Sequence, residues 1–174
     1  MRNAVIRPWF ALLFTIMALT MPVAAPAVDI LTQHNDINRT GATITETILN
    51  TTNVNQNQFG RVFRMQVNGQ VYAQPLYVSS LNLGGQGIHD VVIIATENNY
   101  IYCFDAANPG AGNGTIYWSR SLGTAADNGN GGCGDLTPRV GITSTPVIDK
   151  TAGTVYLVSK TNNGGTYANK LHAL

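Results

Sequence analysis

The sequence predicts an all-β protein, and three observations carry that expectation. Short runs rich in β-branched and aromatic residues alternate with Gly, Asn and Pro clusters, and good helix formers are few beyond the N-terminal segment. One pattern of strands, each copy led by a proline, also occurs twice, about seventy residues apart.

The first 27 of the 174 residues do not read as folded protein. Arg2 and Arg7 give a positive start, residues 9–21 are apolar except for Thr15 and Thr20, and Ala25-Pro26-Ala27 supplies small residues at a cleavage site. The expectation is a secretory signal peptide cut after Ala27. A spanning anchor is the alternative, but the uncharged stretch is short for one. No cysteine stands directly after it at the cleavage site, which argues against a lipoprotein anchor. The chain is thus expected to be secreted or periplasmic, with no stable membrane anchor after cleavage.

Cleavage leaves 147 residues and removes two of the ten basic residues, so eight face nine acidic ones, a net charge of about minus one. Phosphate backbones are bound by clustered Lys and Arg. No such cluster is present, and nucleic acid is excluded as an expected partner.

Residues 28–58 form a polar entry segment. His34, Asp36 and Arg39 invite a catalytic reading, but a loop in which Asn35 and Asp36 bond to nearby backbone accounts for them. Residues 45–54 suit a short helical turn or an extended linker.

Strands are expected from residue 59 onward. Residues 59–67 (FGRVFRMQV) alternate around Val62 and Phe63, Asn68-Gly69 is a hairpin signal, and residues 70–79 resume as a strand interrupted at Pro75. A proline there places that strand at an edge, as the innermost strand of a radial blade would be.

Residues 91–122 carry the densest signal. The run VVIIAT suits a buried strand, Glu97-Asn98-Asn99 a tight turn, and residues 100–105 an aromatic strand. Residues 106–114 form a loop, and residues 115–122 a further strand with Trp118. Each strand should pair with the one before it in an antiparallel meander.

The internal repeat follows from comparing segments. Residues 73–78 (AQPLYV) resemble 144–149 (STPVID), the strand from Val91 resembles that from Thr154, and IYCF from Ile101 matches LHAL from Leu171. The offset is 71 residues at the prolines and 70 at the last pair. Residues 59–67 would then be an outer strand like residues 115–122, with Phe63 in the place of Trp118.

Between the two units, residues 123–139 form a long loop. Asp127, Asn128, Asn130 and Asp135 offer oxygens but lack the spacing and closing Glu of a calcium loop, so no metal site is assigned. Cys103 and Cys133 would close a loop of about 30 residues if bridged, a contribution of roughly 3 kcal/mol. Cys103 equally reads as a small core residue. Both readings stay open.

These residues resemble the PQQ-like β-propeller repeats of quinoprotein dehydrogenases and their non-catalytic relatives. The family's blade runs from a proline strand through an apolar strand and an aromatic strand ending in Asp to a strand with Trp, which here reads Gln74-Pro75, residues 91–96, Tyr102-Cys103-Phe104-Asp105 and Gly114-Thr115-Ile116-Tyr117-Trp118. Its tryptophan-docking motif is kept at Asp105, Gly114 and Trp118, with Cys103 in the usual Ala position and about five extra residues in the turn. The entry segment with His34 to Gly41, and Asn53-Val54, is also similar to that family's.

The resemblance implies an incomplete β-propeller of about one and a half to two four-stranded antiparallel blades, spanning residues 59–174. The second unit stops at Leu174 in mid-blade, so an N-terminal fragment of a longer protein or a truncated reading frame is expected, with the remaining blades of a parent chain as partners. Alone, it should expose unpaired edges and associate.

The functional expectation is an exported module for binding or scaffolding an unknown protein or small-molecule ligand, with no catalytic residue and no cofactor-binding residue assigned. The alternative is the N-terminal part of a dehydrogenase oxidising an alcohol or sugar, in which PQQ and calcium would belong to the full-length parent. Glu97 lies in a turn and Asp105 fits the docking motif, so neither is assigned as its base, and the adjacent-cysteine pair of some such enzymes is absent. A carbohydrate or protein binder using Tyr72, Tyr77, Tyr100, Tyr102 and Tyr117 is a third reading, although tyrosines in strands more often pack. Asn38, Asn50 and Asn113 fit the N-glycosylation pattern.

Overall fold

A computed structural model describes residues 27–107, 114–127 and 135–174. Among these, nine strands form three antiparallel sheets, and a single 3-10 turn, Gly84–Gln86, is the only helical element. The expected signal peptide, Cys133, Asn113, Asn128 and Asn130 lie outside the described residues.

The first sheet is a four-stranded meander of β1 (Leu76–Asn82), β2 (Ile88–Ala95), β3 (Tyr100–Asp105) and β4 (Ile116–Ser121), each paired with its predecessor. Its turns follow the local sequence. Asn99 closes the β2–β3 hairpin with φ of 59°, a left-handed conformation that asparagine tolerates. Burial in β2 alternates, with Val91, Ile93 and Ala95 buried and Val92 and Ile94 half-buried. β1 lies at the edge of its sheet, as Pro75 requires, and begins just after that proline.

The expected strand over residues 59–67 does not form. A strand is held by ladder bonds to a neighbour, and this segment has none; its Phe59 and Val62 are exposed. Asn68 and Gly69 still bend the chain, but over the β2–β3 turn, where Asn98 Nδ2 donates to Asn68 Oδ1 at 2.8 Å. Phe63 therefore has no strand position comparable with that of Trp118.

The second large sheet, hereafter the second sheet, holds β7 (Val147–Asp149), β8 (Thr154–Asn163) and β9 (Thr166–Ala173). Between the two larger sheets lies a short ladder of β5 (Ala126–Asp127) and β6 (Arg139–Val140), inside the region expected to be loop.

The registers of the larger sheets superpose. Leu76 pairs with Ile93 and Ile93 with Cys103; Val147 pairs with Tyr156 and Tyr156 with Ala173. The offsets between these two rows are 71, 63 and 70 residues, so the sequence repeat is also a repeat of strand pairing. Ala173 occupies the place of Cys103.

The sheets nevertheless bury opposite faces. In the first, the row Leu76, Ile93, Cys103 and Trp118 points inward, joined in one core by Val155 and Leu157 and by the flanking Ile148 and Leu174 of the second. Each fully buried aliphatic side chain there contributes about 1.5–3 kcal/mol. In the second sheet the matching row faces outward, with Val147 47% and Tyr156 40% exposed and Ala173 exposed beside them. The front of one sheet thus packs on the back of the next.

Residues 30 and 31 fasten β1 to β7. Ile30 exchanges both backbone bonds with Tyr77 at 2.8 and 3.1 Å, and Leu31 accepts from the Ile148 amide at 2.9 Å. Tyr77 and Ile148 are again 71 positions apart.

Candidate functional site

Asp105 ends β3 in a mostly buried setting. Its amide donates to Thr115 O at 2.8 Å, and its Oδ1 accepts from the Ala107 amide at 2.8 Å. Pairing moves from Cys103↔Trp118 to Phe104↔Ile116, leaving Tyr117 as the extra residue of a β-bulge. Its hydroxyl donates to Asp105 Oδ2, with His89 Nδ1 3.8 Å from the same oxygen and the His89 ring 4.8 Å from the Tyr117 ring, tilted at 41°. Desolvation, reinforced by the Asp105 carboxylate, pushes the Tyr117 phenol up to about 12.

The other two residues of the docking motif lie apart from this cluster. Gly114 has φ of 80°, and a Cβ there would stand 3.1 Å from both Met65 Cγ and Phe104 Cδ1, so a larger residue meets strain and crowding together. Trp118 is half-buried and points into the cleft between the two larger sheets. The three motif residues thus perform separate packing tasks and do not converge on one reacting centre.

The β2–β3 turn is the most deeply buried polar feature. Glu97 and Asn99 are both essentially inaccessible, and Glu97 Oε2 and Asn99 Oδ1 have no hydrogen-bond partner. Asn99 Nδ2 donates to Lys160 O at 2.8 Å, and Glu97 N to Gln70 O at 3.0 Å. Burial raises the Glu97 carboxyl above the usual range, against the Gln70 and Arg139 amides and the Arg139 charge, which favour the ion. Gly141 makes this packing possible, since its missing Cβ would lie 2.0 Å from Glu97 O and 2.6 Å from Asn99 Oδ1. No cue in the sequence singled out Gly141.

A third cluster joins the units. Asp29 accepts from the Ser79 amide at 2.6 Å and its hydroxyl at 2.8 Å, and from Lys150 Nζ at 2.6 Å. Burial alone would raise the Asp29 carboxyl, but the bonds from Lys150 and Ser79 outweigh it and hold it below its ordinary value. The repeat offset could have paired Ser79 with Lys150 from sequence; nothing local flagged Asp29.

The entry-segment residues are engaged in loop bonding. Asn35 Nδ2 donates to Thr43 Oγ1 at 2.9 Å, Asp36 accepts from the Thr40 hydroxyl and amide, and Arg39 Nη1 donates to Gln33 Oε1 at 3.3 Å. Asp127, one of the oxygens weighed for calcium, pairs with Arg139. The tyrosines do not form one surface. Tyr100, Tyr102 and Phe104 stack at 5.9 and 5.6 Å along β3, while Tyr77 donates to Asp90 at 2.8 Å. Cys103 is a free, fully buried thiol, raised to about 12 chiefly by desolvation, with Asp105 adding to the effect.

Comparison with protein-family models, with curated proteins and with solved structures finds no match. The fold by itself defines an all-β protein of stacked antiparallel sheets.

Proposed function

We propose that this chain is an exported PQQ-like β-propeller module that serves binding or scaffolding. The observation that carries the reading is the stacking of two sheets with superposable registers, front to back, at the offset seen in the sequence. Such stacking continues in one direction, and a radial array of blades is its closed form. Asp105, Gly114 and Trp118 then serve as packing residues of a blade, in keeping with their separate surroundings. The remaining blades of a parent chain would cover the outward row of the second sheet.

Titration of the purified chain with PQQ and Ca²⁺, followed by gel filtration and quinone absorbance, tests the reading. The expected result is no co-eluting quinone. Stoichiometric, saturable retention of PQQ would overturn it in favour of the dehydrogenase.

A further inference from the structure

The cleft between the two larger sheets is open to solvent and has a volume of about 380 Å³. That lies within the range of small-molecule sites, which combine a mainly apolar lining with a few polar groups. Val78, Ile93 and Val155 form a buried aliphatic floor, and Leu81 and Trp118 continue it toward the mouth. Two cations line the rim, and they differ. Lys150 is bound to Asp29 at 2.6 Å, so its charge is already met. Arg120 is exposed, two residues beyond Trp118 on β4, with no acidic partner among the described residues.

We propose that this cleft binds a medium-chain carboxylate, its acyl chain along the aliphatic floor and its carboxylate on the Arg120 guanidinium. The charge complementarity is specific: among the described residues Arg120 is the lining cation without an acidic partner, at a mainly aliphatic groove whose other polar lining is Asn82, Thr154 and the Asp29-paired Lys150, and it matches one anionic head on an unbranched tail. Arginine suits that role because its planar fork meets a carboxylate with two parallel bonds. This site rests on the cleft alone and stands or falls independently of the propeller reading.

Octanoate is the probe, with Trp118 emission as the readout. Because the full sequence has a second tryptophan, Trp9, the titration is repeated on a Trp9→Phe chain. Saturable change is expected with octanoate, and about tenfold weaker binding with hexanoate for the two methylenes lost. Arg120→Gln should weaken octanoate about tenfold or more and leave 1-octanol unaffected. Its exposed position keeps the substitution out of the core, and circular dichroism checks that the fold is retained. No saturable change with octanoate overturns the proposal, as does equal affinity for octanoate and 1-octanol. An emission change that follows protein concentration without ligand would also overturn it, placing a second copy of the chain in the cleft.

Discussion

Lys150 Nζ lies 3.3 Å from Ser79 Oγ, and the two residues are 71 positions apart, the offset of the repeat, with Ser79 inside β1 and Lys150 just past the end of β7. Asp29 binds both, so one carboxylate near the start of the described chain fastens two copies of the repeat. Asp29→Asn should loosen this junction, and its effect should depend on pH. The folded carboxyl titrates below its ordinary value of 3.8, so its contribution is complete above that pH and is lost as pH falls through the lower folded value. Urea midpoints measured from pH 7 down to 2 should fall more steeply below about pH 4 in the parent than in Asp29→Asn.

Gly141→Ala should be strongly destabilising although it adds a single methyl. The new carbon meets the Glu97 carbonyl at 2.0 Å and Asn99 Oδ1 at 2.6 Å, and backbone cannot swing aside as a side chain does. A loss of about 1–3 kcal/mol, toward the upper end, is expected from equilibrium unfolding. Gly153→Ala, where a Cβ meets nothing within 4 Å, serves as the comparison and should lose less, the strain of its φ of 63° being the remaining source.

Cys103 should be inert in the folded chain. With its thiol buried and pushed up to about 12, thiolate is scarce at neutral pH. Iodoacetamide labelling read by peptide mass spectrometry should leave Cys103 unmodified until denaturant is added. Cys103→Ala should cost about 0.5–1.5 kcal/mol, the loss expected for removing one buried heavy atom and leaving a small cavity.

The outward row of the second sheet should drive association. Val147, Tyr156 and the neighbouring Val158 and Leu171 are 47%, 40%, 41% and 75% exposed, a patch that soluble monomers rarely leave open. Sedimentation velocity should show concentration-dependent oligomers. Tyr156→Lys with Leu171→Glu should return the chain to monomer, with little change in stability, since neither side chain is in the core.

The strands from residue 76 onward were legible because their signals are local: β-branched runs, turn asparagines, and a proline that fixes an edge. The repeat was legible too, and pairing register reproduces its offsets. Residues 59–67 misled because alternation records which faces a strand could have, while forming one needs a neighbour to accept its ladder. The β5–β6 ladder was hidden because two-residue strands carry no periodicity. Of the site, Trp118 was legible as an aromatic anchor, whereas the cleft it lines depends on how two distant sheets face one another. Glu97 and Asn99 looked like ordinary turn residues, and only Gly141, more than forty positions later, turns them into a buried pair.

That late arrival bears on how the molecule assembles. The β2–β3 hairpin at the centre of the first sheet is sealed by Gly141 and by the Lys160 carbonyl, both supplied from outside that sheet. Until they dock, the Glu97 carboxylate and the Asn99 amide remain hydrated, so the N-terminal half gains its last stability only as the C-terminal half folds. The two units are therefore expected to melt together in a single cooperative transition, and a chain cut between them to yield two less stable pieces.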